Sequence, residues 1–314
     1  MRPAWSVILL TTLIGAGQGL FLAAYGVEVL APFGMGTAPD ERRFHAAAAG
    51  ISLALLVAGL AASFFHLGRP ERAWRTAAMW RTSWLSREVI VLPAFMACVL
   101  LYGTGHWLGW SGRTLAIGAA GAVLCLALFL CTGMIYACLK FLQEWHTPLT
   151  VVNYLLLGCA SGLMLATALA AVMEPALVRD LSAWTAGFTV AAFVGRAAAL
   201  ARNARLRPKS TLQTAIGIRH SGIVQTAQGF MGGSFNTREF FHGASAASLR
   251  SIKWGFLVAV FPVPLALLGV ALVTGSALAA GAAFVVQYAG LLAERWFFFA
   301  QANHPQNLYY QRIS

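Results

Sequence analysis

An imidazole and a carboxylate flank one short polar stretch of this chain, His66 before it and Glu88 after it. Histidine takes up or releases a proton near neutral pH, and burial can draw a carboxyl group toward the same range. Held together, two such groups can pass protons to and from a bound molecule. The surrounding sequence, SFFHLGRPERAWRTAAMWRTSWLSREVI from Ser63 to Ile90, interleaves Arg69, Arg72, Arg75, Arg81 and Arg87 with Trp74, Trp80 and Trp84. That mixture belongs at a lipid headgroup boundary. The stretch joins two long apolar segments that leave and re-enter on one side, which returns its ends to similar depth and makes His66 and Glu88 expected neighbours. Spacing alone leaves a second reading open, in which both residues simply mark helix ends.

The elements that must position this pair are membrane helices. Of 314 residues, 59% are hydrophobic and only 10% charged, against ~25% charged in soluble domains. A hydrocarbon core of ~30 Å takes ~20 apolar residues per helix. Runs of that length recur here without the alternation of barrel strands. They predict an all-α integral membrane protein with eight transmembrane helices, at about 5–31, 44–66, 87–108, 114–139, 148–173, 181–201, 251–274 and 276–299. The first run is too long for a signal segment and reads as a span. No internal repeat shows, so a division into two four-helix bundles near Trp145 stays open. Gly15, Gly17 and Gly19 would let a neighbouring helix approach the first. Gly68 and Pro70 end the second helix and start a short surface helix, with Glu71 near its positive end.

An even number of spans places both termini on one face. The lysines and most arginines fall there too, leaving Arg42, Arg43, Arg113 and Arg179 on the other face and Arg196 inside a span. The net charge of +12 therefore reads as basic loops facing the cytoplasm, not as a nucleic-acid surface. The connection 203–248 is the one long extramembrane segment. It is rich in Gly, Ser, Thr and Arg, yet Phe230, Phe235, Phe240 and Phe241 suggest that it folds against a partner. It lacks a phosphate-loop pattern.

The five cysteines, Cys98, Cys125, Cys131, Cys138 and Cys159, lie in apolar runs without CxxC or CxxCH spacing, so any iron–sulfur cluster belongs on a partner. The histidines sit toward the two faces, none at mid-membrane. His45 and His106 are the one pair that could in principle hold a haem, but they lack supporting context, and no haem or zinc site is expected. Glu294 and Arg295 are read as a structural ion pair with each other or with another helix. Gln18, Asn153 and Gln287 are read as interhelical hydrogen-bonding groups or cavity lining. Glu144 and His146, in the loop after the fourth span, could serve a proton path or remain solvated. A quinone headgroup exchanges two electrons and two protons, and its site wants a hydrogen-bond donor and a titratable group leading to water. His66 and Glu88 supply those functions.

FHLGRPERAW at 65–74, SRE at 86–88, GFMGGSFNTREFFHG at 229–243 and AERWFFFAQANHPQNLYY at 293–310 resemble the DmsC-type membrane anchors of molybdenum oxidoreductases, related more distantly to NrfD-type anchors. The resemblance covers essentially the whole chain. It implies an assembly in which a catalytic subunit holds molybdopterin, a ferredoxin-like subunit holds iron–sulfur clusters, and this chain exchanges electrons with ubiquinone or menaquinone in a bacterial inner membrane. In such anchors a histidine ending the second helix and an acidic residue just before the third matter for quinol handling. They match His66 and Glu88. Arg69 and Arg87 are placed in the same quinone pocket, serving orientation and charge. The opening RPAWSVILLTTLIGAGQGL and the long sixth loop are more similar to anchors of cytoplasmic sulfite dehydrogenases than to those of dimethyl sulfoxide reductases, in which electrons would flow from quinol. Outside the family, a secondary transporter is disfavoured because ionisable residues gather at one face. A purely structural anchor is the third reading.

Overall fold

The computed structural model of the chain describes residues 1–34, 41–110, 112–224, 226 and 240–309. Phe230, Phe235, Arg238 and the rest of 229–239, together with Tyr310 and Arg312, lie outside the described residues. Among the described residues every regular element is a helix, and eight helical segments are long and apolar enough to cross a membrane. They are α1 (Trp5–Leu30), α2 (Glu41–Phe64), α3 (Trp84–Leu108), α4 (Arg113–Ala137), α5 (Pro148–Met173), α6 (Val178–Asn203), the broken pair α8 (Ala246–Val260) and α9 (Pro262–Thr274), and α10 (Ala277–Ala300). Two short helices, α7 (Leu212–Ile216) and α11 (Gln306–Tyr309), lie outside the spans.

Helices α1 to α4 pack as one group and α5, α6, α8, α9 and α10 as another, with α1 against α5 as the seam. Small residues make that seam. A methyl group on Gly19 would overlap the carbonyl oxygen of Gly158, and one on Gly162 would overlap the backbone of Gly19. The two backbones therefore touch directly, as small-xxx-small pairs allow in lipid. Outward faces carry bare apolar side chains such as Val123, Val194 and Val285. Hydrocarbon, not water, is the solvent that suits them.

The seventh span breaks at Phe261. Pro262 and Pro264 follow it, and Pro264 has no N–H to give to the carbonyl of Val260, four residues back. Gln287 on α10 fills that gap, donating from Nε2 to Val260 O at 3.2 Å. A second interhelical amide, Gln18 on α1, donates to Cys125 O on α4 at 2.9 Å.

The basic loop between α2 and α3 forms a 3-10 helix, Pro70–Met79, with no buried residue. Trp74 and Trp80 are exposed on it, each with an arginine, Arg75 or Arg81, over its ring. The start of the chain meets the end of the last span at the same end of the bundle: the Met1 amino group donates to Ala302 O at 2.8 Å. There Arg202, closing α6, holds the loop between α4 and α5 through Gln143 O at 3.1 Å and His146 O at 3.3 Å.

Candidate functional site

Glu88 owes its position to the phase of α3. Ser83 caps the helix by accepting from the amide of Ser86 at 3.3 Å. From that start the inner stripe runs Glu88, Leu92, Phe95, Val99, Tyr102 and His106, all buried and spaced three or four residues apart. Glu88 is 8% exposed. Its Oε1 accepts from the Thr132 hydroxyl on α4 at 2.5 Å, which supplies the partner that an ionisable group needs at this depth.

His66 lies just beyond α2, exposed at the bundle's end, with its amide donating to Ser63 O at 3.3 Å. Partial burial holds its imidazole below the ordinary histidine range. No hydrogen bond or ion pair among the described residues joins it to Glu88, whose carboxyl turns inward to Thr132. Arg69 is exposed just before the 3-10 helix. Arg87 folds back onto the loop, donating from Nε to Trp80 O at 2.9 Å and from Nη2 to Arg81 O at 2.8 Å, with its guanidinium 4.2 Å from the Trp84 ring centroid. The four residues thus share one end of one bundle: Glu88 inside it, the other three at its surface.

A second group of charges lies deeper than sequence spacing suggests. Glu294 on α10 bridges two arginines, with Arg196 Nε on α6 at 2.7 Å and Arg295 Nε at 3.3 Å. All three are almost fully buried. Arg295 also lies over the Tyr154 ring at 4.0 Å, and Arg196 over Phe256 at 5.5 Å. Arg196 thus finds its partner two spans along. Sequence reading left Arg196 without a partner, although Glu294 is the sole acidic residue of the last two spans and was the signal available. Above this group, Trp145 Nε1 donates to Phe298 O at 2.9 Å and stacks on the Phe298 ring, which accounts for the aromatic run after AERW. His146 closes α4, its Nδ1 donating to Ala137 O at 2.6 Å.

The opposite end of the α1–α4 group holds a cluster of which sequence reading paired only His45 and His106. Glu28 accepts from Thr114 at 2.5 Å and lies 3.4 Å from His106 Nε2. His106 stacks on His45 with centroids 4.4 Å apart, and His45 Nδ1 is 3.3 Å from the Tyr102 hydroxyl. Stacked rings at that separation leave no room for a porphyrin between them. Glu28, an acid within an apolar run, was the signal available. Between the two ends of the α1–α4 group lies an apolar core of Phe21, Phe95, Leu128 and their neighbours.

Comparison with known proteins places this architecture. A family model described as the DMSO reductase anchor subunit, DmsC, matches residues 1–225. Over an alignment of 326 residues covering all of both chains, the protein is 55% identical to a sulfite dehydrogenase subunit from Allochromatium vinosum. With the family model spanning most of its length and a relative matching it end to end, the chain belongs to the DmsC family of membrane anchor subunits.

Proposed function

We propose that this chain is the membrane anchor and quinone-reactive subunit of a three-subunit molybdenum and iron–sulfur oxidoreductase that oxidises sulfite and reduces quinone. The carrying observation is Glu88, a carboxyl group buried beside Thr132 at the end of the bundle where the basic loops gather. A quinone entering from the lipid would find there a buried acid and, at the rim, an imidazole. Electrons would come from a ferredoxin-like subunit docked on the basic face, which by the charge bias faces the cytoplasm of a bacterial inner membrane. The sulfite substrate is proposed from the full-length relative, which belongs to a sulfite dehydrogenase. The direction of electron flow depends on the substrate couple held by other subunits.

In this reading the chain performs proton chemistry, not substrate chemistry. Glu88 donates to one oxygen of the headgroup as electrons arrive, Thr132 orients it, and His66 exchanges the second proton at the rim. Arg69 and Arg87 give the rim positive charge, and Arg87 fixes the loop that carries it. The test is carried out on the purified assembly of all three subunits. Glu88→Gln and His66→Ala should each abolish quinone-linked turnover while activity with a soluble electron acceptor persists. Quinone-linked turnover at the wild-type rate in both variants would remove the site.

A further inference from the structure

Three voids run in series from the basic face to the partner of Glu88. A surface cleft of about 700 Å³ is bordered by Glu144 and Asn203. The same two residues line a small void of about 10 Å³ that also touches Arg196, Glu294, Arg295 and Tyr154. Arg295 and Tyr154 in turn line a third void, of about 20 Å³, whose far wall includes Thr132. The inner two voids each have room for about one water molecule, the lower limit being ~10–15 Å³. Their walls hold buried polar atoms without a hydrogen-bond partner among the described residues, including Asn153 Oδ1 and Arg196 Nη2. Buried groups of this kind are ordinarily met by water.

We propose that this series is the route by which protons reach Glu88, entering at Glu144 on the basic face and passing Tyr154 and Thr132. The inference rests on the quinone reading above and adds its proton source. A hydroxyl both accepts and donates. Thr132 can therefore take a proton on its oxygen from the void as its own hydrogen moves to the Glu88 carboxylate. Tyr154 offers the same exchange between the two inner voids. The Arg196, Glu294 and Arg295 group carries one net positive charge, which disfavours a proton at rest beside it. The route then conducts when reduction places negative charge at its inner end, and does not leak otherwise.

The other direction is closed. From Glu88 the inner stripe of α3 continues as Leu92, Phe95 and Val99 before reaching Tyr102, an apolar distance of roughly 21 Å at 1.5 Å per residue. Phe21 stands edge-on to both Phe95 and Tyr102. The Glu28 and His106 cluster at the far end is thus cut off from the quinone chemistry.

For sulfite, water and quinone going to sulfate and quinol, the two protons released at the catalytic subunit equal the two taken up by the headgroup. With both on the basic face, the reaction leaves the far compartment unchanged. The assembly is reconstituted in liposomes enclosing a pH-sensitive dye, and sulfite is added outside so that only outward-facing basic faces work. A steady internal pH during turnover is the expected result, and internal alkalinisation would overturn the route. Tyr154→Phe and Glu144→Gln, both mild in volume, should lower quinone-linked turnover by roughly a hundredfold or more, the range of a lost proton-transfer group. Each should also raise the solvent deuterium isotope effect, with soluble-acceptor activity retained. Unchanged rate and isotope effect in both variants, while Glu88→Gln still blocks quinone, sinks the route and spares the site. If Glu88→Gln is also without effect, the quinone reading itself fails.

Discussion

Thr132 donates its hydroxyl hydrogen to Oε1 of Glu88 across the contact between α4 and α3, at 2.5 Å. The bond does two things at once. It satisfies a carboxyl group in a place where water is scarce, and it fixes which way that carboxyl points. Removing the donor while keeping the shape should therefore harm the site more than the fold. Thr132→Val is expected to lower quinone kcat/KM by roughly 5- to 150-fold, equivalent to the ~1–3 kcal/mol cost of stranding a buried polar group. Thr132→Ser should restore most of it. Steady-state kinetics with a quinone analogue, run beside a soluble-acceptor assay, decide the matter. A valine variant with wild-type quinone kinetics contradicts the role given to this bond.

The rim histidine makes a separate prediction about pH. Burial lowers the proton affinity of His66, so near pH 7 the neutral imidazole predominates and passes its N–H proton on only as it takes another from water. Its protonated fraction grows only as pH falls through and below about 6.5, the ordinary histidine value. Quinone reduction should accelerate along that acid limb, and the limb should vanish in His66→Gln. The linkage to stability has the opposite sense. The unfolded chain binds this proton more tightly than the folded one, so the contribution of His66 to stability falls as pH drops. A pH–rate profile identical in wild type and His66→Gln would show that His66 gives no proton to the reaction.

Gln287 repairs a helix that proline breaks. Its amide donates to Val260 O, the acceptor that Pro264 cannot serve, and approaches Thr189 Oγ1 at 3.4 Å. Gln287→Leu keeps the bulk but leaves that carbonyl bare in an apolar interior. A loss of about 0.6 kcal/mol is expected and at most about 1.7 kcal/mol, the average and the maximum for interhelical hydrogen bonds in a membrane protein. It should appear as a lower unfolding temperature in detergent with little change in quinone kinetics. A variant as stable as the parent would mean that the freed carbonyl finds another donor.

How far these features could be read beforehand depends on whether their cause is local. The eight apolar runs, the surface helix opening at Pro70 and the tryptophan–arginine rim are written in consecutive residues, and sequence reading reaches them. The second helix, however, ends at Phe64, before Gly68, which does not take the left-handed conformation expected of a cap. The stripe that turns Glu88 inward follows from helical phase once Ser83 is known to be the cap. Pairings between distant spans are different in kind. Nothing near Gln287 points to Val260, and nothing near Gly19 announces Gly158, because both contacts are set by which helices become neighbours. The expected pairing of His66 with Glu88 shows the same gap. Chain reversal brings two helix ends to similar depth, but the direction of each side chain depends on the helix phase. Glu88 therefore turns to Thr132 instead. Arg196 belongs with these pairings, since its position inside a span is legible but its counter-charge, Glu294, is set by α6 meeting α10.

That counter-charge supports the last prediction. Arg196 and Arg295 share Glu294 inside the bundle, so the effect of removing a member depends on what charge is left behind. Glu294→Gln strands two buried guanidinium groups side by side, and breaking a buried ion pair from one side costs about 3–5 kcal/mol. Arg196→Met removes one charge and leaves a neutral Glu294–Arg295 pair, with an apolar side chain facing Phe256 and Phe297, the rings that Arg196 now overlies. Arg196→Met should therefore accumulate in membranes at near-normal levels, and Glu294→Gln should not. The double variant Glu294→Gln with Arg196→Met has one stranded arginine and should fall between them. Quantifying folded protein by detergent extraction and size-exclusion chromatography gives the order directly. If Glu294→Gln accumulates as well as Arg196→Met, net charge does not govern the stability of this group, and the shared carboxylate is not what holds α6 to α10.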